Sequence, residues 1–339
     1  MCGMLKQFYL ASGLALFLLV SGFVYSAPAE PVGVVIYTNT KNDGSFNQLA
    51  AEGSERAAGE FGFSLREWSS TSKEETHQVL LNFAADGVTH VLILGFENSD
   101  AVRDVAQKYP EIKFTIIDAA VTDLPNVRSV LFADDESGFL AGYVAGLKTE
   151  TGTVGTIGGM DIPPVRRFMC GFAAGAKHAD SNVEVLSAFI GQDILSFRDI
   201  QQGKVVGKEM FAQGADVVFA TAGLASEGVA KAAKAAGAFV IMVDDNQNGF
   251  IPGTVLTSAL KRVNEAAYDS WKSVADGTWS GGLKVLSAKD NGIGWAVDDH
   301  NRELVADIVD DVDAVTAALA NGDIEINPVD GVSGCAEVL

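Results

Sequence analysis

Cysteine, histidine and proline are scarce in this chain of 339 residues, at three, four and eight respectively. His77, His90, His178 and His300 are scattered without metal-ligand spacing and no C-x-x-C pair occurs, so no metal site is expected. No G-x-S-x-G, H-E-x-x-H or G-x-x-x-x-G-K-S/T motif is present, which leaves an enzyme without a recognisable catalytic signature and gives no reason to expect a cofactor. The glycines from Gly152 to Gly159 flank an apolar stretch instead of following it, which sets aside a dinucleotide loop. Basic side chains are also in deficit, 24 against 44 acidic ones for a formal net charge of −20. With no Lys/Arg cluster to neutralise phosphates, a nucleic-acid partner is excluded. No repeated Pro or Ser tract leaves room for a long flexible linker.

What the chain does have is hydrocarbon, with 48% of its residues apolar. At this length that exceeds one ordinary core and points to two tightly joined lobes. Gln7 to Ala29 carries no charge, and Phe8 to Val24 is almost wholly apolar after a lone Lys6. This reads as a secretory signal over residues 1–26, cleaved after Ser26 or after Ala29. An uncleaved anchor is the other reading, since about 20 apolar residues can span a bilayer. Cys2 precedes the apolar run, so no lipid attachment is encoded and the mature form is expected to be periplasmic and soluble. In that oxidising compartment Cys170 and Cys335 either form a bridge or remain separate thiols.

From Pro31 to about Asp245, short β-branched runs alternate with amphipathic helical stretches. Strands are expected at Val32 to Tyr37, Ser64 to Trp68, His90 to Gly95, Lys113 to Asp118, Val127 to Phe132, Thr153 to Gly158, Glu184 to Ile190, Val217 to Thr221 and Phe239 to Val243. Such alternation predicts an α/β fold of two doubly wound parallel-sheet lobes joined by a multi-strand hinge. Leu256 to Gly277 reads as one long helix, and Asp290 to Leu304 as strand and turn. The chain is expected to pass between lobes near Glu150-Thr151-Gly152, Gly253-Thr254 and Gly281-Gly282. That assigns residues 31–147 plus 255–281 to the first lobe and residues 148–254 plus 282–339 to the second. Ligands of such sheets bind beyond the carboxyl ends of the strands, and two facing lobes enclose them.

Candidate site residues follow from that rule. The loop after the first strand, Thr38 to Gln48, gathers polar groups and delivers Phe46 at the start of a helix. Asp43 or Ser45 can cap that helix, while Phe46 either staples the helix or offers a face to a flat ligand. Asp118 ends an apolar run and is either a cleft acceptor or a turn cap. Phe219 either closes on the ligand or packs in the core. Gly223 lets backbone approach a ligand closely. Asp244, after another apolar run, can accept paired hydroxyl hydrogen bonds or sit in a solvated turn. Lys261 is neutralised by Asp244, reaches a ligand oxygen, or lies on the surface.

Several stretches in this order carry a family resemblance: Asp43-Gly-Ser-Phe-Asn-Gln48, Phe96-Glu97 with Tyr109 to Asp118, Phe139-Leu-Ala-Gly-Tyr-Val-Ala-Gly146, Val154 to Gly159, Gly171-Phe-Ala-Ala-Gly175, Gly214 to Phe219 and Thr257-Ser-Ala-Leu-Lys261. Together they resemble the basic membrane protein family, the purine nucleoside receptor type of ABC transporter substrate-binding protein. The resemblance implies a type I periplasmic-binding-protein fold that holds a nucleoside between two aromatic rings and passes it, as a monomer, to a membrane permease. Carried over by position, it makes Phe46 and Phe219 the ring clamp, Asp244 and Lys261 the sugar-side pair, and Asn47 and Gly223 supporting contacts. Where relatives often place an Asp after the first strand to bond the purine edge, this chain has Thr38 and Asn39. A neutral amide both donates and accepts, so the base preference stays open. The same fold around a sugar, a flavin-like heterocycle or a signalling molecule is an alternative, as is an exported nucleoside-processing enzyme.

Overall fold

The computed structural model describes residues 32–326. The expected secretory segment and Cys335, one end of the bridge left open above, lie outside them; Cys170 is disulfide-bonded. No helix among the described residues is long and apolar enough to cross a membrane.

In chain order the elements are β1 Val32–Thr38, α1 Phe46–Phe61, β2 Ser64–Ser70, α2 Lys73–Ala85, β3 His90–Leu94, α3 Ser99–Lys108, β4 Lys113–Ile117 and β5 Val127–Phe132. There follow α4 Asp134–Lys148, β6 Thr153–Gly158, α5 Pro163–Ala179, β7 Glu184–Phe189, α6 Ile200–Ala212, β8 Val217–Thr221, α7 Ser226–Ala236 and β9 Phe239–Asp244. The chain continues through β10 Val255–Lys261, α8 Val263–Ala275, β11 Gly282–Leu286, β12 Ile293–Trp295, α9 Arg302–Val305 and α10 Val309–Asn321. Two six-stranded sheets result, ordered β11-β5-β4-β3-β1-β2 and β12-β10-β9-β8-β6-β7. All pairings are parallel except β10 with β12. Inner strands such as β3 and β8 are buried at every position, as strands covered by helices on both faces must be.

All nine strands expected before Asp245 are present, with ends shifted by two residues at most. Beyond that point the sequence reading needs correction. Val255–Lys261 is a strand of the second sheet, not the start of a helix. Its run is short and buried nearly throughout, so it carries no alternation to separate strand from helix. The lobe boundaries shift accordingly. β10 belongs to the second sheet and β11 to the first. The crossings fall at Phe132 to Asp134, at Arg262 between β10 and α8, and between Leu286 and Ile293.

After the first crossing, α4 packs on α5 through glycines in both helices. A methyl at Gly142 would lie 1.9 Å from the Phe172 carbonyl oxygen, and one at Gly175 would lie 1.9 Å from that of Phe139. This backbone-to-backbone contact carries Asp134, the first residue of α4, into the crossover between the lobes.

Candidate functional site

The carboxyl ends of both sheets face one cavity of about 800 Å³, mouth included. Five of its wall residues share one backbone feature: Asn39 (φ 72°), Gly95 (φ 94°), Asp118 (φ 67°), Gly223 (φ 54°) and Asp244 (φ 69°) are all left-handed. The chain must turn sharply off each strand. Gly does this freely and Asn or Asp at modest cost, so the polar residues are placed where backbone strain and a functional surface coincide.

The loop after β1 is built around Asp43. One carboxylate oxygen accepts the N–H groups of Ser45 at 3.0 Å and Gln48 at 3.1 Å; the other accepts the N–H of Asn47 at 3.1 Å and its Nδ2 at 2.7 Å. Asn47 Oδ1 in turn accepts the Thr38 N–H at 3.0 Å. Asp43 therefore closes the first turn of α1, and Asn47 braces loop to strand. The brace holds Phe46 at the cavity wall.

Lys261 is almost fully buried, with Nζ 2.6 Å from Asp118 Oδ2 and 2.9 Å from Asp134 Oδ1. The Phe46, Phe132 and Phe168 ring centres lie 5.3, 5.1 and 5.4 Å away. Burial alone would lower its pKa, but the carboxylates of Asp118, Asp134 and Asp244 outweigh that and raise it above the ordinary lysine range. Arg167 Nη2 donates to the other oxygen of Asp134 at 2.8 Å. Asp244 has a different fate. Burial pushes its carboxyl up to about 7, with Asp43 and Asp118 adding to the rise and Lys261 and the donating Ser45 hydroxyl opposing it.

Three polar contacts join the lobes across this site: Ser45 to Asp244, Lys261 to Asp118, and Asn39 Nδ2 to the Ile194 carbonyl oxygen at 2.8 Å. Asn39 Oδ1 and Asp118 Oδ1 are buried without a hydrogen-bond partner among the described residues. Buried acceptors of this kind are rare and costly unless something supplies a donor.

Asn39, Asp43, Phe46, Asn47, Asp118, Gly223, Asp244 and Lys261 thus converge on one cavity. Phe219 does not. It is fully buried in the middle of β8, stacked on Phe172 at 5.6 Å and edge-on to Phe168 at 6.0 Å, so its expected place in a ring clamp is corrected to core packing. Its side chain points off the sheet face two residues short of Thr221, the last residue of β8, which does line the cavity. The second lobe presents Phe168 and Phe197 instead. The Phe197 ring lies over Gly159, where a methyl would be 2.5 Å from it, so two turns without side chains, at Gly159 and Gly223, form its seat. The sequence from Ile194 to Gln213 reads as one helix, which conceals Phe197. Asp199 in fact caps α6 by accepting the Gln202 N–H at 2.8 Å, which leaves the preceding turn free to carry the ring. The missed signal was an aromatic residue in a polar segment after a strand, the same signal that identifies Phe46. Phe96, Glu97 and Arg198 also line the cavity, and Thr38 donates its hydroxyl to Glu97.

Known proteins are similar to this chain in sequence and fold. A family model described as "ABC transporter substrate-binding protein PnrA-like" matches residues 30–328. An uncharacterized lipoprotein of Pyrococcus horikoshii is 34% identical over 279 residues, 79% of this chain and 69% of its own. The ABC transporter nucleoside-binding protein BmpA of Lactococcus lactis is 32% identical over 296 residues, 80% of this chain and 82% of its own. Among solved structures, an ABC transporter solute-binding protein from Aeropyrum pernix superposes with a TM-score of 0.79 at 28% identity, over 89% of this chain and 94% of that one. The members of this family are substrate-binding proteins of ABC transporters. The chain belongs to the Bmp family of PnrA-like ABC transporter substrate-binding proteins.

Proposed function

We propose that the cavity holds a nucleoside and that the protein delivers it, chemically unchanged, to a membrane permease. The observation that carries this reading is a cavity with aromatic faces on both sides and buried acceptors without donors at its edge. Phe46 on one lobe and Phe197 on the other supply faces for a flat base. Asp244 and the Lys261–Asp118 pair supply charged partners for ribose hydroxyls. Asn39 meets the edge of the base. The nucleoside-binding relative from Lactococcus lactis supports the same assignment.

Stacking on two faces at ~0.5–1.5 kcal/mol each, with charge-assisted hydrogen bonds at ~1.5–3 kcal/mol each and burial of the base, suits micromolar or tighter binding. Because the ligand touches both lobes, it stabilises the closed arrangement, and the closed form is what a permease would recognise. A thermal-shift panel tests the reading. Purine or pyrimidine nucleosides are expected to raise the melting temperature; a panel in which only sugars or flavins do so assigns the cavity to another class. Release of free base beyond one equivalent per protein would replace binding with catalysis.

A further inference from the structure

A second cavity adjoins the first. It encloses about 720 Å³, mouth included, and shares Thr38, Phe96, Glu97 and Ile194 with the main cavity. The hydrogen bond from the Thr38 hydroxyl to Glu97 marks the boundary between them. Beyond that boundary, the walls come from the start of α2 and from Asn98, Met160 and Gln192.

The polar groups there are mostly satisfied by one another. The Ser70 hydroxyl donates to the Ser72 carbonyl oxygen at 3.0 Å, and that of Thr76 donates to Ser70 Oγ at 2.7 Å. Asn98 is the exception. It is 2% exposed, and its Nδ2 donates to the Leu94 carbonyl oxygen at 2.6 Å. A carbonyl demands a donor, so that bond fixes the amide's orientation and leaves Oδ1 as the unpartnered atom. A buried acceptor on a cavity wall calls for a ligand donor. The wall's charges are Lys73 against Glu97 and Asp193, a balance that disfavours an anion, while Phe96, Met160 and Ile194 offer hydrocarbon.

We propose that this second chamber takes a substituent carried on the far edge of the base: an uncharged alkyl arm ending in a hydroxyl that donates to Asn98 Oδ1. The cargo would then be base-modified nucleosides. The inference rests on the nucleoside reading above, which sets the sugar toward Asp244 and Lys261 and the base edge toward Asn39 and Thr38, beside the boundary.

Calorimetry on the full chain tests it with adenosine, N6-(2-hydroxyethyl)adenosine and 8-(2-hydroxyethylamino)adenosine. One of the two substituted compounds is expected to bind roughly tenfold tighter than adenosine, the gain from partnering a buried acceptor. Asn98→Leu should abolish that gain and leave adenosine within about twofold of its original affinity. Met160→Trp, which adds bulk to the chamber wall and leaves Asn98 in place, should do the same if Asn98→Leu folds poorly. If adenosine binds but neither substituted compound improves on it, or if both variants weaken adenosine as much as the substituted compound, the chamber is no subsite. If neither adenosine, guanosine nor inosine binds at all, the nucleoside reading itself falls.

Discussion

Apart from the edge strands β11 and β12, the first sheet runs β5-β4-β3-β1-β2 and the second β10-β9-β8-β6-β7, so each of these five strand ends in one lobe has a counterpart in the other. Gly95 after β3 corresponds to Gly223 after β8, and Asp118 after β4 corresponds to Asp244 at the end of β9, all with positive φ. The same backbone turn thus offers a carboxylate to the cleft twice, but the neighbours differ. Asp118 has the Lys261 ammonium at 2.6 Å, whereas the Asp244 carboxyl has, among the described residues, only the Ser45 hydroxyl in hydrogen-bond contact. The third pair differs in the opposite sense: β1 ends in the polar loop that carries Asn39 and Phe46, while β6 ends in the bare Gly158-Gly159 on which Phe197 rests. Duplicated topology fixes where the groups stand, and the partner each one finds sets its charge and its role.

The largest effect should come from removing the ammonium that distinguishes Asp118 from Asp244. Lys261→Met strips Asp118 of its cation and leaves Asp134 with Arg167 alone. Breaking one side of a buried ion pair typically costs ~3–5 kcal/mol, because the remaining charge stays buried. Denaturant unfolding should show a loss of that order, and adding Asp118→Asn to Lys261→Met should recover part of it. A Lys261→Met protein as stable as the parent would mean that the contrast between the two aspartates does not depend on the lysine.

Three phenylalanines sharpen the comparison further. Phe219→Ala should destabilise the second lobe by ~3–5 kcal/mol, as for a fully buried aromatic, while leaving ligand affinity close to the parent's. Phe46→Ala and Phe197→Ala should do the reverse, with roughly tenfold or greater losses in nucleoside affinity and little change in the denaturation midpoint. If Phe197→Ala binds normally, the second face of the clamp is Phe168 or there is no clamp.

The alternation of apolar runs with amphipathic segments made nearly all of the βαβ succession legible, because doubly buried strands read as short continuous apolar runs and the helices covering them as stretches with one apolar face. The crossovers were not legible. Glycine pairs such as Gly281-Gly282 look like hinges, whereas the observed passages at Phe132 to Asp134 and at Arg262 carry no punctuation, being set by α4 packing on α5 and α8 packing on α1. Within the site, residues at or just past strand ends could be placed by rule, which is why Asn39, Asp118 and Asp244 were readable. Phe219 was misplaced because a residue within a strand looks the same in sequence as one at its exit. Asp134 and Arg167 escaped notice because only the long-range fold brings them to Lys261.

The smallest expected effect concerns pH. Asp244 ionises at about 7 in the fold against 3.8 ordinarily. The folded protein therefore binds this proton more tightly than the unfolded chain does. Its contribution to stability is full below the ordinary value and is lost as pH rises from there through about 7. Asp244→Asn removes that liability, so its melting temperature relative to the parent should climb between about pH 5 and about pH 8. Binding should respond in the opposite direction. A ligand hydroxyl donating to the carboxylate favours the ionised form, so nucleoside affinity of the parent should increase roughly tenfold from about pH 6 to about pH 8, while that of Asp244→Asn stays flat and weaker. Parallel pH profiles for the two proteins, in melting and in calorimetry, would show that Asp244 is ionised throughout and that it differs from Asp118 in position alone.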